Sequence, residues 1–230
     1  MSIFRRKSSE SGAEDDAVLG ESVEDDAAGD GGSPQPPTGP FDVSQVEDDE
    51  VRRIDFGSLL VPAVDGMAVR VEMGDQEDIV AVSVMLQDTA IQLQAFAAPR
   101  GESMWDEVRQ EIAEGIRATH GTAREASGPF GRELRADVPT ADPQSTGTDG
   151  GASASRESVR FIGVDGPRWF LRGVMSGVGV GDPERAAAVE SVFRGIAVRR
   201  GDHPAPPRDL LPLQVPEDPG LVSEPPAHND

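Results

Sequence analysis

Residues 158–175 read SVRFIGVDGPRWFLRGVM, and the rest of the chain is read outward from this stretch. Two runs rich in β-branched and aromatic residues, 158–164 and 168–175, flank the turn formers Asp165, Gly166 and Pro167. That pattern predicts an antiparallel hairpin. In the second strand Arg168, Phe170 and Arg172 would face one way, and Trp169, Leu171 and Gly173 the other.

The flanking segments carry related signals. Residues 122–127 and 132–138 read as two strands around the turn Gly128 to Gly131, with Leu134, Ala136 and Val138 facing inward. Between them and the hairpin lie residues 139–157, PTADPQSTGTDGGASASRE. A polar insert of this length inside a domain reads as a mobile loop. Further upstream, Trp105, Val108, Ile112 and Ile116 recur at three- and four-residue spacing, the apolar stripe of a helix. Ser103 with Asp106 suits a capping box at its start, and Gly121 a terminating glycine at its end.

Before that helix come three strands with short connections. Met67, Val69, Val71 and Met73 alternate with polar or small residues, Ile79 to Leu86 is nearly all apolar, and Ala90 to Ala97 alternates again. Such a series predicts an antiparallel meander. Beyond the hairpin, Gly177, Gly179 and Gly181 loosen the chain. Asp182 and Pro183 then open a second helix with Ala186, Val189, Val192, Phe193 and Ile196 on its buried face, and 196–199 reads as a short last strand. The order strands, helix, strands, helix gives an α+β domain over residues 41–201, built of antiparallel sheets with two main helices and not doubly wound.

The ends differ from this middle. Residues 1–40 hold acidic clusters and a Pro/Gly-rich stretch, and are expected to be disordered, as are residues 216–230. Residues 202–215 are proline-rich yet contain Leu210, Leu211, Leu213 and Val215, so they should lie extended against the domain. Residues 1–50 carry 3 positive and 14 negative groups, and the whole chain has net charge −21. Direct nucleic-acid binding is disfavoured by that balance. The chain has no cysteine, which excludes disulfides, thiolate chemistry and the common zinc sites. Neither a secretory signal nor an apolar run of membrane-spanning length stands out, so a cytoplasmic location is expected.

Candidate chemistry is sparse. His120, His203 and His228 lack ligand spacing, so no metal is predicted. No G-x-S-x-G elbow occurs, and Lys7, the single lysine, is not in a phosphate-binding loop. The G-x-G-x-G run before the second helix could suit an anion, but Asp182 and Glu184 at that helix start argue for a plain connection. No catalytic residue and no cofactor are predicted.

The candidate binding residues are Arg160, Arg168, Trp169 and Arg172 of the hairpin. Two arginines on one face can grip a carboxylate or phosphate. The structural alternative is that they pair with local acids such as Asp137 or Glu133, and that Trp169 is core.

Several stretches together, GPFD (39–42), RIDFGSLLVPAVDGM (53–67), LQAFAAPR (93–100), WDEVRQEI (105–112), VRFIGVDGPRWFLRGV (159–174) and PPRDLLPL (206–213), resemble an uncharacterised actinobacterial family, domain of unknown function 3710. The resemblance spans roughly 39–215 and implies a cytoplasmic bacterial protein, with no established activity and no catalytic residues to carry over. In outline the element order is similar to the PsbP/Mog1 sandwich. The expected function is a non-enzymatic adaptor or regulatory domain that binds an unidentified protein. The alternative is a small-anion or nucleotide-related binder, or an enzyme, using an arginine face on the 159–175 hairpin. Oligomeric state is not legible in the sequence.

Overall fold

The computed structural model describes residues 39–75, 78–139 and 156–216. The expectations of disorder at the two ends and of mobility in the loop fall on residues outside that set. The described strands are β1 (Phe41–Asp42), β2 (Arg53–Asp55), β3 (Leu59–Pro62), β4 (Met67–Met73), β5 (Ile79–Leu86), β6 (Thr89–Ala97), β7 (Thr122–Gly128), β8 (Gly131–Pro139), β9 (Arg156–Gly166), β10 (Trp169–Gly177) and β11 (Ala197–Val198). Two helices join them, α1 (Trp105–Ala118) and α2 (Pro183–Gly195). The fold is α+β.

Seven strands form one antiparallel sheet in the order β4-β5-β6-β10-β9-β8-β7. It consists of two meanders, β4–β6 and β7–β10, which meet where β10 lies against β6. The register there pairs Arg172 with Gln94 on one side and Gly163 on the other. A second, four-stranded sheet, β1-β11-β3-β2, is antiparallel except for its parallel β1/β11 pair.

The helices sit on opposite faces of the large sheet, and two glycines show how. A Cβ on Gly163 would stand 2.3 Å from the Trp105 ring, and one on Gly173 would stand 2.9 Å from Phe193. Gly163 therefore admits the first residue of α1 on one face, and Gly173 admits Phe193 of α2 on the other. The α2 face holds the main core, where Val82, Val84, Ile91, Leu93, Leu171 and Met175 meet Val189, Val192 and Phe193. On the α1 face, Ala113 and Ile116 pack on Leu134, Ala136 and Val159, and Trp105 stacks on Phe170 at 5.9 Å. Each helix thus covers about half of one face.

Four local expectations are corrected. Ser103 and Asp106 do not cap α1; the N-terminal N–H groups of Met104 and Trp105 donate instead to Asp165 on β9, at 2.8 and 3.3 Å, and the Ser103 hydroxyl donates to the same carboxylate. A carboxylate brought from a distant strand satisfies the same open donors as a local cap. Asp106 pairs with Arg109, which lies 2 % exposed under Glu125 and over the Trp105 ring. Burial alone would lower the Arg109 pKa, but the carboxylates of Asp106 and Glu125 outweigh it and the value is raised. At the end of α1 the left-handed residue is His120 (φ 62°), not Gly121, whose N–H donates back to the Ile116 carbonyl. The hairpin turn is Pro167–Arg168, one step later than the turn formers suggest, and Met73, at the rim of the sheet, is 53 % exposed.

The proline-rich segment after β11 pairs with β6 where β5 has ended. Arg208 N–H donates to Ala97 O and Leu211 N–H to Ala95 O, both at 2.8 Å. Gln214 N–H then reaches Phe56 O between β2 and β3, and Leu211 is buried in the main core.

Candidate functional site

Because each helix covers half of one face, the described helices leave two quarters of the large sheet open, and the hairpin β9/β10 borders both. Alternation along these strands sends Arg160 and Arg172 to different faces, and of the expected pair Arg168 and Arg172 only Arg172 lies on the strand. Arg168 is not on a strand at all; it stands exposed in the turn with φ 67°, and its carbonyl accepts from Ala98 N–H at 3.0 Å. Trp169 is buried core, with its indole N–H donating to Asp42 at 2.9 Å. Burial would raise the Asp42 pKa, but hydrogen bonds from Ser44 and Trp169 and the charge of Arg168 bring it below 3.8.

Arg160 lies on the α2 side of β9 and is 4 % exposed. Its Nε donates to Glu133 at 2.7 Å and its Nη1 to Glu190 of α2 at 2.5 Å, while its Nη2 is sealed from solvent and has no acceptor. Glu133, 1 % exposed, also receives Arg135 at 2.8 Å. Two guanidinium groups thus meet two carboxylates, and the cluster is locally neutral. A cleft of about 290 Å³ opens beside it, lined among others by Gly128, Arg135, Gly179 and Glu190. Another, of about 330 Å³, shares Arg135 and runs past Arg124, Asp137 and Ser158. Hydroxyls of Ser158 and Thr122 donate to Asp137 and hold its carboxyl below the ordinary 3.8.

Arg172 lies on the α1 side of β10, beyond the reach of the helix. Its Nη2 donates to Gln94 Oε1 on β6 and its guanidinium rests 5.4 Å from the Phe96 ring. Its Nε is sealed from solvent and has no acceptor. Among the described residues no carboxylate pairs with it, and burial lowers its pKa. Across the same quarter, Glu72 on β4 accepts from Ser83 and Gln92, so the acid nearest in the polar row is held by neutral groups. Met85, 44 % exposed, and Arg70 border a shallow cleft of about 200 Å³ there.

Sequence reading named both arginines and offered Glu133 among the local acids, which Arg160 does meet, but it named neither Glu190 nor Gln94. Glu133 and Glu190 lie on elements whose register to β9 no local pattern reveals. Gln92, Gln94 and Ser83 were visible only as the polar side of alternating strands. Among the described residues no three His, Asp or Glu side chains stand close enough to share a metal ion. No described helix is long and apolar enough to cross a membrane.

No curated protein and no solved structure matches the chain. A family model described as "Protein of unknown function (DUF3710)" matches residues 39–220, which takes in both sheets, both helices and the two open quarters. The chain therefore belongs to the DUF3710 family.

Proposed function

We propose that the domain is a non-enzymatic protein-binding module, and that it binds through the open quarter around Arg172. The observation that carries this reading is Arg172 itself: a half-buried guanidinium with an orphaned Nε–H and no carboxylate partner among the described residues. A buried charge without a counter-ion is costly, and a partner that supplies a carboxylate repays that cost on binding. The rest of the quarter suits such a partner. Met85 offers flexible apolar contact at its edge. The partner segment is thus one that presents an acidic side chain flanked by apolar ones.

The test places a photo-crosslinking phenylalanine derivative at position 85, on this quarter, and in a second chain at position 178, exposed on the opposite side. One stoichiometric protein adduct in cells from position 85, absent from 178 and lost with Arg172→Gln while the melting temperature holds, is the expected result. Equal capture at both positions, or capture indifferent to Arg172→Gln, would overturn the proposal.

A further inference from the structure

A third arginine without an acceptor marks a different place. Three separate segments build a cleft of about 320 Å³: the turn Gly57–Ser58 before β3, the loop 199–205 after β11, and residues 211–214 of the proline-rich segment. Backbone bonds lock these walls together. Ser58 N–H and Oγ both donate to Pro212 O, at 3.2 and 2.8 Å, Arg199 N–H donates to Ser58 O at 2.9 Å, and Gln214 N–H to Phe56 O at 3.0 Å. The lining is mostly apolar, with Ala205, Leu211, Pro212 and Leu213 among its members.

The ionisable lining residues are Arg199, Arg200 and His203, in a chain of net charge −21. Arg199 is engaged: its Nη1 donates to Asp55 at 3.0 Å and to Gly57 O at 2.8 Å. Arg200 is not. Its Nη1 donates to His203 O at 3.0 Å, which fixes the guanidinium, while its Nε is sealed from bulk solvent and has no acceptor. The edge formed by Nε and Nη2 makes no hydrogen bond within the described residues. With Nη1 engaged and Nε sealed, Nη2 is the nitrogen left to donate to a carboxylate. An apolar cavity with one convergent, preset polar group is the usual plan of a small-molecule site, and a buried donor without a partner points to a group that the protein alone does not supply.

We infer that this cleft binds a small organic monocarboxylate, its carboxylate on Nη2 of Arg200 and its apolar body against Ala205, Leu211 and Leu213. The site is independent of the Arg172 quarter. Calorimetric titration of the full chain with benzoate, its neutral isostere benzamide, and inorganic phosphate tests it. Benzoate should bind at least tenfold tighter than either of the others. Arg200→Gln should abolish the difference, and Arg172→Gln should leave it intact. His203→Asp, at an exposed side chain on the cleft mouth, should weaken benzoate binding without unfolding the protein, because it adds a like charge. No saturable benzoate binding at millimolar concentration, equal binding of benzamide, or indifference to both Arg200→Gln and His203→Asp would overturn the inference.

Discussion

The two open quarters of the large sheet are made from the same hairpin and the same residue types, yet they are electrostatic opposites. Around Arg160, Glu133 and Glu190 answer the charge, and Arg135 shares Glu133. Around Arg172 an amide oxygen and an aromatic ring answer it in part, and one N–H goes unanswered. The difference teaches that an arginine in a sheet is not by itself a binding residue; what surrounds it decides. A guanidinium whose charge is met by carboxylates holds structure together even with one N–H left over, and one that meets no carboxylate has capacity for a ligand. The first quarter ties the β7–β9 end of the sheet to α2; the second is the surface proposed above for a partner.

The comparison can be broken most directly by deleting each charge. Arg160→Met leaves Glu190 without its guanidinium and the fully buried Glu133 with Arg135 alone, and should cost about 3–5 kcal/mol in urea unfolding. Arg172→Met removes a charge that has no counter-ion and should change stability by less than about 1 kcal/mol, in either direction. Equal losses for the two variants would remove the distinction between the quarters.

A smaller effect sharpens why the quarters are open at all. If Gly163 and Gly173 seat α1 and α2 on opposite faces, Gly163→Val should destabilise by about 1–3 kcal/mol and loosen α1, while Gly173→Val should do the same to α2. Hydrogen exchange resolved by segment would show which helix loses protection. Loss of protection in the same helix for both variants would contradict the opposed seating.

The smallest effect is a pH response. Asp137 borders the Arg160 quarter, and hydroxyl donors place its folded pKa below 3.8. A depressed carboxyl favours the folded state above its unfolded pKa, and that contribution fades as pH falls through the folded value. Asp137→Asn should therefore flatten part of the stability loss below about pH 4 and leave the profile near neutrality unchanged in shape. An acid limb identical to that of the parent chain would show that Asp137 is not part of it.

The strands of the large sheet and both helices were legible in the sequence because hydrophobic periodicity is a local property, whereas β1, β2 and β3 are too short to show a period and were not read. The alternation of 67–73 and 90–97, the apolar run of 79–86 and the stripe from Trp105 to Ile116 each report one buried face, and the burial required by that face forms the element. The locations of turns were legible for the same reason, to within a residue at Pro167–Arg168. The candidate arginines were legible as residue types in the right hairpin, though Arg200 carried no signal beyond its charge.

Tertiary structure alone decided the partners. Asp165 displaced Ser103 as the cap of α1, because a strand about sixty residues away delivers its carboxylate to the helix start. Glu133 and Glu190 found Arg160, and no acid found Arg172, because strand register and helix placement set those distances. Periodicity tells a side chain which face it is on, and it does so from a few neighbouring residues. Whether that face meets a carboxylate, an amide or water depends on chain segments far away in sequence, and only the packed molecule specifies them.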